Sequence, residues 1–133
     1  GVSFEFTTGE IWSVDTTLLS MSNGNLNVQE LEAIFTEALD RYSKFLEGLG
    51  ISRPYHWQAG LVGVKEGHLR YPAPGGRTWI DGRTGAICLS NLIEASDHLQ
   101  PGQLAGDALL PFFKKIFEEC GRERPDYLSS KQV

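Results

Sequence analysis

The sequence predicts a single α+β domain over residues 1–133, with a largely antiparallel sheet of about six strands. A long helix and a C-terminal helix are expected to pack on one face of that sheet. Short segments that alternate apolar and polar residues indicate the strands, and two segments with apolar residues at three- and four-residue steps indicate the helices. Most strand segments are joined by short turns, which favours antiparallel pairing.

The segment 2–15 predicts a β-hairpin. Phe4 and Phe6 alternate with polar residues, as do Trp12 and Val14 on the other side of a glycine-containing turn. Alternation with period two on both sides of a glycine turn is the hairpin signal.

The chain after this hairpin predicts the long helix. Asn27 is suited to cap its N-terminus, with Glu30 at the third position of a capping box. Gly50 is suited to a left-handed C-terminal cap, with Ile51 packing back on Leu46. The apolar stripe between the two caps consists of Leu31, Ile34, Phe35, Ala38, Leu39, Tyr42, Phe45, Leu46 and Leu49.

Burial of this stripe is expected to dominate the stability of the domain, since each large side chain contributes about 1.5–3 kcal/mol when fully buried. The sequence therefore predicts that Phe35→Ala and Phe45→Ala each cost about 3–5 kcal/mol.

The middle of the chain predicts four further strands. These span residues 55–64, 68–71, 77–80 and 86–93. Gly60 and Gly63 are unusual inside a strand, and they indicate a bulge, a bend or a close approach by another backbone.

The C-terminal third predicts a polar loop over 94–106 and then a helix that starts near Asp107. Pro111 is acceptable only in the first turn of that helix, and Gly121 ends it. Its apolar stripe consists of Leu109, Phe113, Ile116, Phe117 and Cys120. The charged segment 122–133 is interpreted as solvated, and not as a docking motif.

Two cysteines, Cys88 and Cys120, are interpreted as reduced, buried side chains. The sequence has no apolar run near the ~20 residues that span a bilayer and no secretory signal pattern. These features together predict a cytoplasmic protein that does not enter a membrane.

Residues 53–83, called here the basic-aromatic segment, are the candidate binding region. The segment has five basic and two acidic residues, a net charge of +3, in a chain of net charge −5. Aromatic rings and arginines can hold bases, rings or anions. The predicted ligand-binding residues are Trp57, Arg70, Arg77, Trp79 and Arg83. The sequence leaves open whether Trp57 and Trp79 lie in the core instead.

Catalytic and metal sites are not predicted, and neither is a cofactor. The three histidines lack metal-ligand spacing, although His56 and His68 can meet if their strands are neighbours. An enzymatic alternative takes His56 or His68 as a base with Asp81 as its partner.

A family resemblance rests on three phrases. Residues 54–65 read Pro-Tyr-His-Trp-Gln-Ala-Gly-Leu-Val-Gly-Val-Lys, residues 9–12 read Gly-Glu-Ile-Trp, and residues 124–128 read Arg-Pro-Asp-Tyr-Leu. Together they resemble the C-terminal part of bacterial proteins with an N-terminal Schlafen AlbA-type (divergent AAA) domain, which are described as DNA-binding or transcription-regulating. The resemblance implies that any nucleotide or DNA site lies in that N-terminal domain, so no functional residue carries over.

The function predicted from these observations is that of a non-enzymatic accessory module. The chain starts with Gly1 rather than Met, and we interpret it as the C-terminal module of a larger bacterial protein. It would mediate assembly, with a second copy or with other domains of the same chain, or sense a ligand. The alternative is direct binding of a small anionic ligand or nucleic acid through the basic-aromatic segment. Because the whole chain is acidic, nucleic acid is an unfavourable partner for this domain alone.

Overall fold

The computed structural model describes residues 2–3, 6–7, 10–15, 25–63, 65–75, 78–80 and 88–128. In chain order the strands are β1 (Val2–Ser3), β2 (Phe6–Thr7), β3 (Glu10–Asp15), β4 (Asn25–Asn27), β5 (Tyr55–Val62), β6 (His68–Pro72), β7 (Trp79–Ile80) and β8 (Leu92–Leu99). The helices are α1 (Val28–Gly48), α2 (Ala105–Ala108) and α3 (Leu110–Glu119). The predicted α+β class is confirmed.

The described strands form two sheets, so the prediction of one six-stranded sheet is wrong. The first sheet has the order β1-β3-β5-β8, with β2 also paired to β3, and the second has the order β4-β6-β7. Four of the described strand pairs are antiparallel, whereas β3–β5 and β4–β6 are parallel. The parallel β3–β5 pair follows from chain order, because α1 lies between the two strands and provides the long crossover that parallel pairing needs.

Helix α1 begins and ends as the sequence predicts. The Asn27 side chain accepts a hydrogen bond from the Glu30 N–H at 3.2 Å. Gly50 has a positive φ of 82°, and the Ile51 N–H donates to the Leu46 carbonyl at 3.0 Å. These contacts satisfy backbone groups that the helix itself leaves without partners.

The buried stripe of α1 is narrower than the apolar pattern. Phe35 is buried, whereas Phe45 is 52% exposed and Leu49 is 61% exposed. The inward positions are Val28, Leu31, Glu32, Phe35, Leu39, Ser43 and Leu46. The exposure of Phe45 shows that the expectation of a core residue at this position is wrong. The reason is helix geometry, because at 3.6 residues per turn Phe45 lies about 80° away from Phe35 around the helix axis.

One core joins both sheets and both longer helices. The inner face of β5 contributes Tyr55, Trp57, Ala59 and Leu61, all of them buried. Ring contacts fix the packing around that face: Phe35 meets Phe112 at 5.0 Å and Tyr71 meets Phe117 at 5.1 Å between ring centroids, both edge to face. Edge-to-face geometry is the preferred arrangement of such pairs.

Most of strand β8 lies where the sequence predicts a loop, since only Leu92 and Ile93 belong to the predicted strand 86–93 and the other six residues belong to the predicted loop 94–106. Its register with β5 runs without interruption from Tyr55↔Leu99 to Val62↔Leu92, so Gly60 makes no bulge. Only Ile93 and Leu99 of β8 are fully buried. Polar residues occupy most of the remaining positions, and this hides the strand pattern from the sequence.

The cysteines are bonded to each other, contrary to the expectation of two reduced side chains. The Cys88–Cys120 disulfide joins the segment before β8 to the end of α3. Backbone hydrogen bonds hold the same two segments together, since the Leu89 N–H donates to the Glu119 carbonyl at 3.1 Å.

No helix in the described part of the chain combines the length and the apolar character that spanning a bilayer requires.

Candidate functional site

The basic-aromatic segment divides between the two sheets. Its first part forms β5 of the first sheet, and its second part forms β6 and β7 of the second sheet. Arg53, at the start of the segment, pairs with Glu47 at 2.8 Å and donates to the carbonyls of Gln100 and Gln103. Arg53 therefore ties the end of α1 to the loop after β8, and its donors are used within the protein.

Trp57 belongs to the core. Its side chain is 2% exposed on the inner face of β5, and its indole Nε1 has no hydrogen-bond partner among the described residues. A ligand arriving from solvent cannot stack on this ring. We therefore leave Trp57 out of the candidate surface, although the sequence places it among the ligand-binding residues.

Arg70 and Trp79 come together on the second sheet. The Arg70 guanidinium carbon lies 4.3 Å from the centroid of a Trp79 ring. The β6–β7 register explains this, because Pro72 is paired with Trp79 and Arg70 lies two residues before Pro72 on the same face of β6. Trp79 is 42% exposed and Arg70 is half-buried. The two predicted residues thus form one surface, which we call the Arg70–Trp79 platform.

The charge of the Arg70–Trp79 platform is not neutralised by the part of the chain that the structure describes. Within that part, the ion pairs involve Arg41, Lys44, Arg53 and Arg124, and none involves Arg70. A guanidinium stacked on an indole keeps its N–H edge free for a carboxylate or phosphate. The platform can therefore bind an anion and offer a flat apolar ring beside it.

Arg77 and Arg83 lie outside the described residues, and so does Asp81, the partner in the enzymatic alternative. His56 and His68 belong to different sheets, so they do not meet across neighbouring strands. Within the described residues, no group of three or more His, Cys, Asp or Glu side chains is arranged to hold a metal ion.

The described part of the segment after α3, which ends at Leu128, is docked on the protein and is not solvated as the sequence suggests. Arg124 and Glu32 form a buried ion pair, and the Tyr127 hydroxyl donates to the Pro72 carbonyl at 2.8 Å. Burial first, and the neighbouring Tyr71 second, raise the pKa of Tyr127 above 10.0. This segment therefore reaches the end of β6, the strand that carries Arg70.

A groove beside α1 was not predicted from the sequence. It has a volume of about 710 Å³, in the range of ligand sites, and α1 faces the start of α2 across it. Its acidic groups are largely paired, Glu37 with Arg41, Asp40 with Lys44 and Glu32 with the C-terminal segment. The signal available in the sequence was the spacing of Glu32, which precedes Phe35 by three residues and Leu39 by seven and so lies on their side of the helix. A carboxylate on that side requires a buried partner.

Comparisons of the chain with protein-family models, with curated proteins and with solved structures found no match. The resemblance to the Schlafen AlbA-type proteins stays a prediction, which these comparisons do not test.

Proposed function

We propose that this chain is a non-enzymatic ligand-sensing module and that its ligand is a small anion with a planar ring. The single observation behind the proposal is the Arg70–Trp79 platform. Its guanidinium is stacked at 4.3 Å on the indole, and no carboxylate in the described part of the chain pairs with it. Such a pair suits a mononucleotide, since the phosphate can bind Arg70 while the base contacts the exposed indole.

A small ligand is favoured over a long nucleic acid by the charge of the chain. The net charge is −5, and a polyanion lying across the domain would meet this excess of acidic residues. The phosphate of a mononucleotide bound at the platform interacts mainly with charges within about 8 Å, the screening distance at physiological salt. Its electrostatic binding energy therefore depends mainly on Arg70. Nucleic-acid binding is the alternative, and a steep loss of affinity with salt would be its signature.

The test compares adenosine monophosphate, inorganic phosphate and a single-stranded oligonucleotide in calorimetric titrations. We expect the mononucleotide to bind more tightly than phosphate, and Arg70→Gln to weaken it at least about tenfold, as for a lost charged hydrogen bond. Arg41→Gln is the matched control, because Arg41 is an exposed arginine already paired with Glu37. Equal affinities of the wild type and Arg70→Gln would overturn the proposal. Preferential binding of the oligonucleotide with a steep salt dependence would favour the alternative.

The assembly role has one observation in its favour. Val62 and Leu92 are register partners at the end of the β5–β8 ladder and are 40% and 52% exposed, and Leu89, three residues before Leu92 in the chain, is 72% exposed. We propose as a second candidate that this apolar patch contacts a second copy of the chain. Light scattering would then show a dimer that Leu92→Lys dissociates, whereas a monomer at high concentration would contradict the assembly role.

The wider setting is also a proposal. On the resemblance alone, we propose that the chain belongs to a larger bacterial protein that regulates transcription. We also propose that this protein lies in the cytoplasm. The Cys88–Cys120 disulfide weighs against that location, because disulfides persist mainly in oxidising compartments. Acid quenching of cells followed by alkylation under denaturing conditions tests it, because both cysteines are buried in the native protein: two modified cysteines fit the cytoplasm, and two protected cysteines contradict it.

A further inference from the structure

Two of the three histidines face each other on the outer side of the first sheet. His56 of β5 and His98 of β8 are register partners, and their ring centroids are 5.1 Å apart. His98 is exposed and His56 is half-buried. The pair therefore lies on the face of β5 opposite the buried Trp57, where ions from solvent can reach it.

The separation of the rings matches the geometry of a chelated metal. A tetrahedral metal with metal–nitrogen bonds of about 2.0 Å holds two imidazole centroids about 5 Å apart. Antiparallel pairing keeps the two side chains close, since residues directly opposite each other have Cβ atoms within about 5.5 Å. The separation of the two rings is therefore compatible with both of them binding the same ion.

The thiols and the third imidazole do not compete for a metal at this pair. Cys88 and Cys120 are bonded to each other, so neither thiol is free to bind an ion. His68 lies in the second sheet, whereas His56 and His98 both lie in the first.

We propose that His56 and His98 form a binding site for a divalent transition metal ion of the Zn²⁺ class. Neutral imidazole suits Zn²⁺, Cu²⁺ and Ni²⁺ and does not suit Ca²⁺ or Mg²⁺, which prefer oxygen ligands. Because the pair faces solvent, water completes the coordination of the metal. A metal held there joins β5 to β8 and stabilises the first sheet. The site is separate from the Arg70–Trp79 platform.

The test is a calorimetric titration of the full chain with Zn²⁺ at neutral pH, without an added histidine tag. We expect one Zn²⁺ per chain. His56→Gln and His98→Gln should each weaken binding at least about tenfold, the range seen when even an outer-shell partner is removed. His68→Gln is the matched control and should bind like the wild type.

A second readout separates a metal site from a purely structural role. Zn²⁺ should raise the melting temperature of the wild type and of His68→Gln, but not that of His98→Gln, because only a bound ion shifts the folding equilibrium. Equal Zn²⁺ affinity in the wild type and both variants of the pair would overturn the proposal. So would a His68→Gln variant that loses binding to the same extent, or light scattering that shows zinc bound only between two chains.

Discussion

Arg124 and Glu32 form a buried bidentate ion pair that ties the C-terminal segment to α1 across 92 residues of sequence. Arg124 Nε donates to one carboxylate oxygen at 3.0 Å, and Nη2 donates to the other at 2.7 Å. Both side chains are 3% exposed. The guanidinium also lies 6.0 Å from the Phe113 ring centroid, so this one arginine connects α1, α3 and the C-terminal segment.

Removal of one partner of this pair should destabilise the fold strongly. Arg124→Ala removes the guanidinium that pairs with the buried Glu32 carboxylate, and we expect a loss of about 3–5 kcal/mol in the free energy of unfolding. Arg41→Ala is the control, because the exposed Arg41–Glu37 pair should contribute under about 1 kcal/mol. Urea denaturation measures both. Similar small losses in the two variants would mean that Glu32 has access to water.

Replacement of both partners by apolar residues should cost less than removal of one. The double variant Glu32→Leu with Arg124→Met leaves no charge unpaired, and buried pairs replaced in this way are often neutral or stabilising. The double variant is therefore expected to be more stable than Arg124→Ala in the same urea assay. A double variant as unstable as Arg124→Ala would show that packing, and not charge, controls this site.

Truncation to alanine should reduce stability much more at Phe35 than at Phe45, although both residues belong to the apolar stripe of α1 that the sequence predicts. Phe35 is 4% exposed and meets the Phe112 ring, so Phe35→Ala should cost about 3–5 kcal/mol. Phe45 is 52% exposed, so Phe45→Ala should cost under about 1 kcal/mol. Chemical denaturation of the two variants in parallel decides the matter, and equal losses would contradict the α1 packing described above.

Alkaline pH should destabilise the fold through Tyr55, which is buried, and Tyr127, which is half-buried. Burial first, and the Glu47 charge second, raise the pKa of Tyr55 above 10.0, with Arg53 opposing; the pKa of Tyr127 is raised as well. Since the folded protein holds these protons more tightly than the unfolded chain, their contribution is fully present below about pH 10 and is lost as the pH rises through the folded-state pKa values.

The Tyr127→Phe variant tests this linkage. It removes one titrating group, so its free energy of unfolding should decline less steeply above about pH 10 than that of the wild type. At neutral pH it should be less stable by about 1 kcal/mol, because it lacks the hydrogen bond to the Pro72 carbonyl. Denaturation midpoints measured across this pH range give both quantities, and parallel declines of the two proteins would exclude Tyr127 as a contributor.

Reduction of the disulfide should destabilise the protein without changing its fold. Cys88 and Cys120 are 32 residues apart, and a loop of this length corresponds to about 3–4 kcal/mol in the chain-entropy description. Comparison of unfolding with and without reductant measures the loss, with the double variant Cys88→Ala and Cys120→Ala as the control that should not respond. Two free thiols in the untreated native protein would contradict the disulfide.

Local signals in the sequence were reliable where backbone chemistry decides the structure. The Asn27 and Gly50 caps define α1 because they satisfy its end groups within a few residues. Pro111 lies in the first turn of α3 as expected, and the stripe of that helix is buried from Leu109 to Cys120.

The missed features depend on residues far apart in the chain. Strand β8 exists because β5 pairs with it, and its polar outer face gives no alternation strong enough to reveal a strand. The partners of Glu32 and of Cys88 lie 92 and 32 residues away, so a single sequence cannot assign them. The Arg70–Trp79 platform was anticipated only as two members of a basic-aromatic segment, because their contact depends on the β6–β7 register.

The central claim is that an anion with a planar ring binds at Arg70 and Trp79, and nuclear magnetic resonance of the ¹⁵N-labelled chain tests it most directly. The Trp79 indole N–H and the Arg70 Nε–H are followed during a titration with adenosine monophosphate, with Trp79→Phe used for assignment. We predict that both signals shift while the indole signal of Trp57, buried in the core, stays in place. Unchanged Trp79 and Arg70 signals at saturating mononucleotide would contradict the account.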